Sequence, residues 1–152
     1  MRLSVGRKAT LLLAMLSLMA LAADTVLTAP PPLPNPVAIY TGPEFYTTGG
    51  KHWQRYKFEV VNLEVYPNEM FAPAPDLPPC GSNTKSSRTW VDIYDQSGKR
   101  LNGFCALPNR DGLNKLWFAL EEGVVPPSWI YIELTDRKTG TKYKSGLVDT
   151  VS

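Results

Sequence analysis

Short stretches of alternating polar and apolar residues, separated by turns containing glycine or proline, fill the chain from residue 37 onward. The clearest is 129–135, WIYIELT, in which Ile130, Ile132 and Leu134 alternate with polar or aromatic residues. A period of two is that of a half-buried β-strand, and closely spaced turns are typical of sandwiches and barrels. The pattern therefore predicts an all-β domain.

The predicted strands are short and number about seven. They are 37–41, 54–66, 89–94, 100–107, 116–120, 129–135 and 141–148. The second changes phase after Val60, which predicts a β-bulge. Residues 113–120 also carry apolar side chains at helical spacing, but the neighbouring strands favour a strand there. A two-sheet antiparallel sandwich of about seven strands accommodates this set, and a closed barrel is the alternative.

The first 22 residues have the three-part layout of a secretory signal peptide. Three basic residues precede an apolar run that ends at Ala20-Leu21-Ala22, with small residues at the positions that signal peptidase requires. The run is shorter than the about 20 residues of a membrane span, and an uncleaved anchor is the alternative. A proline-rich linker is predicted over 23–36 and the β-sandwich domain over 37–152. We therefore expect a secreted or periplasmic protein.

Removal of the signal peptide reverses the sign of the net charge. The segment carries three of the 16 basic and none of the 14 acidic side chains, which leaves a mature chain of 13 basic and 14 acidic side chains with net charge −1. Such a chain has no long-range attraction for nucleic acid or anionic lipid. We expect neither nucleic acid nor, after cleavage, a membrane as partner.

Cys80 and Cys105 are the two cysteines of the chain. In an exported protein an even number of cysteines favours a disulfide, which here would close a loop of about 25 residues and stabilise the fold by about 3.5 kcal/mol. Cys80 lies in a long proline-rich loop, 67–87, between predicted strands. Long loops inside compact domains are often functional, so this loop is itself a candidate site.

The segment Val125-Pro126-Pro127-Ser128-Trp129-Ile130-Tyr131 resembles the E–F corner of fibronectin type III domains, and the strand, turn and strand that follow resemble their F–G hairpin. The resemblance implies an immunoglobulin-like or fibronectin type III-like sandwich. In that family the corner tyrosine faces inward. Here Glu133 shares its face, and an unpaired buried carboxylate would cost several kcal/mol. We therefore expect Tyr131 to face outward and the aliphatic residues inward.

No arrangement of residues in the chain indicates catalysis or metal binding. His52 is the only histidine and lies beside a predicted turn, and no nucleophile elbow or phosphate-binding loop is present. Acidic residues near turns do not form a calcium loop, and no carboxylate pair marks a glycosidase. We expect no catalytic residues, no metal and no cofactor, and hence a protein that is not an enzyme.

The aromatic residues of two predicted strands are the candidate binding site. Alternation places Trp90 and Tyr94 on the outer face of one strand, and Trp129 and Tyr131 on that of another. If these strands are neighbours, the four rings share one face. Rings on a rigid sheet suit a protein partner, and planar rings also suit the faces of sugars. The alternative is that a shift of register buries them in the core.

The sequence thus predicts an exported, non-catalytic binding or adhesion module that contacts protein or carbohydrate through this aromatic face. The alternative function is that of an inhibitor or accessory protein acting through the proline-rich loop 67–87. Exposure of the four rings on one face favours the first of these functions, and their burial favours the second.

The signal peptide makes a direct prediction about the mature N-terminus. Cleavage after Ala22 should leave Ala23 as the first residue, because small residues occupy the two specificity positions before it. N-terminal sequencing of the protein recovered after export measures this. Recovery of a chain that still begins at the initiator methionine would show an anchor instead.

Overall fold

The structure is a computed structural model that describes residues 31–81 and 85–151. The signal peptide and residues 23–30 of the predicted linker lie outside the described residues. The strands are β1 Ala38–Thr48, β2 Lys51–Val60, β3 Thr89–Asp95, β4 Arg100–Phe104, β5 Leu116–Glu121, β6 Trp129–Asp136, β7 Lys142–Lys144 and β8 Val148–Asp149. Short 3-10 helices cover Leu63–Val65, Asn68–Phe71 and Arg110–Asn114. No helix in the described part of the chain is long and apolar enough to cross a membrane.

The strands form two antiparallel sheets that pack against each other, as the sequence predicts. The small sheet has the order β1-β2-β5. The large sheet has the order β4-β3-β6-β7, and β8 pairs with β6 as well. Central strand β6 therefore has β3 on one side and both β7 and β8 on the other.

The core lies between the inward faces of the two sheets. Ile130, Ile132 and Leu134 of β6 are fully buried, which confirms the predicted orientation of this strand. The other fully or almost fully buried apolar strand residues are Tyr56, Phe58 and Val60 of β2, Val91 and Ile93 of β3, and Leu116 and Phe118 of β5. Leu120, which we also expected inside, is only half-buried at the edge of this cluster. The aromatic rings of the small sheet fill the space opposite the aliphatic large sheet.

The first strand is longer than predicted and contains a bulge. The predicted first strand ends at Thr41, but β1 continues to Thr48, with a bulge between Tyr40 and Gly42. Gly42 has a φ of 111°, which an L side chain rarely adopts and which lets the bulged strand resume its pairing. Pro43 is tolerated because β1 is an edge strand of the small sheet and a proline there leaves no inner ladder bond unmade.

The bulge predicted in β2 is wrong. β2 ends at Val60, and Leu63–Val65 forms a 3-10 helix instead of a second half of the strand. The reason lies at Asn62, whose side-chain oxygen accepts from Val37 N at 2.8 Å and whose amide donates to Asn35 O at 3.0 Å. The apolar residues after Val60 therefore follow a change of element and not a bulge.

The segment before β1 is packed on the domain. Leu33 contacts the core cluster and Pro36 is buried, so the packed chain begins ahead of the predicted boundary at Val37. The Tyr66 hydroxyl donates to Pro34 O at 2.6 Å. Burial raises the pKa of Tyr66. Residues 33–36 thus form a strap across the domain.

The predicted last strand is divided into β7 and β8. Ser145 lies at the division, where its backbone N–H donates to Ile132 O and its hydroxyl accepts from Ile132 N, each at 2.9 Å. The Ser145 hydroxyl thereby accepts the hydrogen bond that a backbone carbonyl would accept in a regular strand. Pairing resumes at Val148, opposite Ile130.

The loop between β2 and β3 closes one end of the sandwich. Its buried apolar side chains, among the residues that the structure describes, are Leu63, Tyr66, Met70, Phe71 and Ala74. Cys80 and Cys105 form the predicted disulfide, with 5.7 Å between their Cα atoms, and so attach the loop to the chain that follows β4. Ala74 N donates to Ser86 O at 2.8 Å, and Ser87 N donates to Cys105 O at 2.8 Å. The buried apolar side chains of the loop therefore contribute to the core.

The alternation of β6 makes a quantitative prediction. Ile132→Ala should lower the free energy of unfolding by about 2–5 kcal/mol, because it leaves a cavity in a fully buried site. Trp129→Ala should lower it much less, because that side chain lies on the outer face and is 42% exposed. Urea unfolding of the two variants measures both values. The reverse order of stability would contradict this orientation of β6.

Candidate binding faces

The four aromatic residues predicted as a site all lie on the outer face of the large sheet. Trp90 and Tyr94 alternate along β3 with the buried Val91 and Ile93. Trp129 and Tyr131 alternate likewise along β6. Trp129 is exposed and the other three rings are half-buried. The core is thus built without any of the four.

Tyr94 and Tyr131 form the centre of a stacked row across this face. They are opposite each other in the β3–β6 register, with ring centroids 5.2 Å apart and ring planes at 19°. Lys144 Nζ lies 3.8 Å from the centroid of Tyr131 on the β7 side. Arg100 pairs with Tyr94 in the β3–β4 register. We call Arg100, Tyr94, Tyr131 and Lys144 the tyrosine row.

The geometry of the tyrosine row determines which parts of its rings are accessible. Neighbouring strands are about 4.8 Å apart, so two nearly parallel rings 5.2 Å apart stand upright on the sheet. Each ring then covers a face of its neighbour, and Lys144 covers the other face of Tyr131. At Tyr131 the row therefore presents a ring edge and a cationic side chain to a partner, and not an open ring face.

A row of charges separates Trp90 from the tyrosine row. Asp92 lies directly opposite Glu133, a pairing that would be repulsive without cations. Arg100 Nε lies 2.6 Å from Asp92 Oδ1, and Lys142 Nζ lies 2.7 Å from Glu133 Oε1. The hydrogen bond to Glu133 raises the pKa of Lys142. Two ion pairs thus neutralise the acids of this row.

Trp90 lies on the far side of that charged row. Arg137 Cζ is 4.1 Å from its ring centroid, so a guanidinium covers the indole. The structure therefore brings Tyr94, Tyr131 and Trp129 to one part of the face and leaves Trp90 in another. Gly103 helps to order the face, because a Cβ there would collide with the guanidinium of Arg100 that reaches Asp92.

The outer face of the small sheet carries a second aromatic cluster that the sequence analysis did not identify. Arg55 Cζ lies 4.8 Å from the Tyr46 ring centroid and 4.4 Å from that of Trp117. Trp53 lies on the same face, one alternate position before Arg55. The alternation in the sequence KHWQRYKFEV could have indicated this cluster. Because Tyr56, Phe58 and Val60 are buried at alternate positions, Trp53 and Arg55 face outward.

The histidine and the two cysteines have the following places in the fold. His52 is exposed at the β1–β2 hairpin, where its Nδ1 lies 3.0 Å from Thr47 Oγ1. Both cysteines are in the disulfide. Within residues 31–81 and 85–151, no group of three or more histidine, cysteine or acidic side chains is arranged to hold a metal ion.

A partly buried ion pair connects the loop region to the β6–β7 turn. Arg88 binds Asp136 through two hydrogen bonds, Nε to Oδ1 at 3.0 Å and Nη2 to Oδ2 at 2.6 Å. The Asp136 side chain is only 5% exposed. The hydrogen bond from Arg88 lowers the pKa of Asp136 despite the opposing effect of burial. The pair has a structural role, and neither of its side chains belongs to an aromatic face.

The comparisons with known proteins add no family to these observations. The chain matches no family model, and neither a curated protein nor a solved structure is significantly similar to it. The two outer faces are therefore interpreted from their own geometry and chemistry.

The lowered pKa of Asp136 predicts a dependence of stability on pH. A carboxyl group whose pKa is lower in the folded state stabilises the fold above its unfolded pKa of about 3.9, and this contribution is lost as the pH falls through the folded pKa. Asp136→Asn should therefore lower the free energy of unfolding at pH 7 and weaken its dependence on pH below about 4. Urea unfolding at a series of pH values measures this slope.

The matched control for this experiment is Asp76→Asn, because Asp76 is exposed in the loop. It should leave the slope close to that of the unaltered protein. Equal slopes for the unaltered protein and Asp136→Asn would contradict the role assigned to the ion pair.

Proposed function

We propose that the mature chain is an exported, non-catalytic binding or adhesion module that contacts a protein partner through the tyrosine row and the adjacent Trp129. The observation that carries this proposal is the stacked and charged row on the outer face of the large sheet. Tyrosine, tryptophan and arginine are the residues that most often dominate protein interfaces. Here they occur together on a rigid sheet, which limits the entropy lost on binding.

The geometry of the rings favours a protein partner over a sugar. Sugars bind to aromatic residues mainly by stacking on an open ring face. In the tyrosine row the faces of Tyr131 are covered by Tyr94 and Lys144. Ring edges with flanking cations instead suit a surface that offers hydrogen-bond acceptors, carboxylates and apolar contacts.

The strand order supports the narrower resemblance to immunoglobulin-like and fibronectin type III-like sandwiches. When β2, β3, β5, β6 and β7 are taken as strands B, C, E, F and G, B lies beside E, and C, F and G are consecutive in the other sheet. The outward orientation of Tyr131 departs from the inward tyrosine of the E–F corner. The resemblance concerns the scaffold, and the functional argument depends on the residues of the face.

Export is proposed from the N-terminal segment and is supported by the disulfide, which persists in oxidising compartments. The alternative, inhibition through loop 67–87, is less favoured because Met70, Phe71 and Ala74 of that loop are buried in the core. Most of the other described residues of the loop, including Pro78 and Pro79, are exposed.

The test is quantitative capture of partners from the native secretome by immobilised mature protein. Trp129→Ala combined with Tyr131→Ala should weaken capture of a specific partner by about 2 kcal/mol or more, roughly thirtyfold in Kd. The matched control is Trp53→Ala, which removes a half-buried tryptophan from the outer face of the small sheet. It should leave capture unchanged.

Two results would contradict the proposal. One is equal loss of capture with Trp53→Ala, which would assign the effect to general destabilisation or to the other face. The other is a ligand eluted as free glycan whose binding survives protease treatment of the secretome, which would replace the protein partner by a carbohydrate.

A further inference from the structure

A polar cavity of about 350 Å³ lies on the outer face of the small sheet. Its walls come from β1, β2, β5 and the residues just before β5, and they include Arg55, Lys57 and Lys115. A volume of this size is at the lower end of the range for ligand sites, which corresponds to one or two sugar-sized rings. The cavity is on the opposite side of the sandwich from the tyrosine row.

Arg55 is held rigidly at this cavity but is not saturated with hydrogen bonds. Its guanidinium lies between the rings of Tyr46 and Trp117, which fix its plane. The nearest carboxylate oxygen, Glu44 Oε1, is 3.5 Å from Nη1, longer than an ordinary hydrogen bond. Nε is buried without an acceptor among the described residues. The terminal nitrogens of this partly exposed, preorganised cation are suited to binding a carboxylate in two contacts.

The charges around the cavity leave an excess of one cation. Arg55, Lys57 and Lys115 face Glu44 and Glu59. Lys57 Nζ lies 3.9 Å from Glu44 Oε2, so this ion pair is also loose. A single carboxylate entering the cavity would balance the charges of these three cations and two acids. The low exposure around Arg55 strengthens the attraction between its guanidinium and that carboxylate.

The remaining polar groups of the cavity are suited to hydroxyl groups. Glu44 and Glu59 accept hydrogen bonds, and the side chains of Thr41 and Asn114 can both donate and accept. A ligand that has one carboxylate and several hydroxyls satisfies both sets of groups. An acidic peptide offers carboxylates without the hydroxyls, and a neutral sugar offers hydroxyls without the carboxylate.

We propose that this cavity binds a uronic acid, either as a free monosaccharide or as a residue of an acidic polysaccharide. Arg55 binds the carboxylate, Lys115 adds attraction, and the neighbouring acidic and amide side chains bind the ring hydroxyls. The proposal does not depend on the proposed function, because the two sites lie on opposite sheets and either can fail alone.

The experiment is isothermal titration of the mature protein with D-galacturonate, with D-galactose as the neutral match. Galacturonate should bind with a saturable, millimolar affinity that weakens as salt is added, and galactose should bind at least about tenfold more weakly. Trigalacturonate distinguishes the two sources, since tighter binding than the monosaccharide indicates a polysaccharide and equal binding a free sugar acid.

Two variants test the assigned residues. Arg55→Gln should weaken galacturonate binding by about tenfold or more, because it removes the charge-assisted hydrogen bonds. Lys115→Gln, at an exposed residue, should weaken it by about two- to fivefold without affecting the fold. Lys138→Gln removes the same charge from the distant β6–β7 turn and should have no effect.

Three results would overturn the proposal. The first is the absence of saturable galacturonate binding, and the second is unchanged binding in both Arg55→Gln and Lys115→Gln. The third is equal or tighter binding of a glutamate-rich peptide, which would assign the cavity to acidic protein segments. Circular dichroism of Arg55→Gln shows whether the variant is folded, and Lys115→Gln decides the outcome if it is not.

Discussion

Strand β6 cannot bury Glu133, and much of the large sheet depends on this constraint. An unpaired carboxylate in the core would cost several kcal/mol, so β6 turns Ile130, Ile132 and Leu134 inward. Because β6 is the central strand, its orientation determines which residues of its neighbours share each face. Val91 and Ile93 of β3 lie opposite Leu134 and Ile132 in the register and therefore face the core with them.

The same constraint produces the chemistry of the outer face. With Glu133 outside, the register places Asp92 opposite it, and the two acids require cations from the flanking strands. Arg100 and Lys142 provide them, while Lys144 lies over Tyr131. The tyrosine row therefore arises from pairing across four strands and not from any local motif.

The outer face of the small sheet also combines a cation with aromatic rings, but with different residues. Arg55 stacks between two rings, so that the aromatic faces are covered while the charged group keeps unused donors. On both sheets a cation lies over an aromatic ring. The domain thus carries two chemically distinct candidate surfaces on opposite sides of one core.

Local pattern was sufficient to predict the sandwich and the inward faces of β3, β5 and β6, because alternation and turn residues act within a few positions along the chain. The disulfide followed from the presence of two cysteines in a chain expected to be exported. The outward orientation of the four predicted aromatic residues followed from the same alternation. The strap at 33–36, the end of β2 and the break between β7 and β8 could not be predicted, since they depend on hydrogen bonds of Asn62, Tyr66 and Ser145 to residues distant in sequence. Only the tertiary structure separated Trp90 from Tyr131 and placed Arg55 between two rings, because strand register and contacts across strands decide which side chains meet.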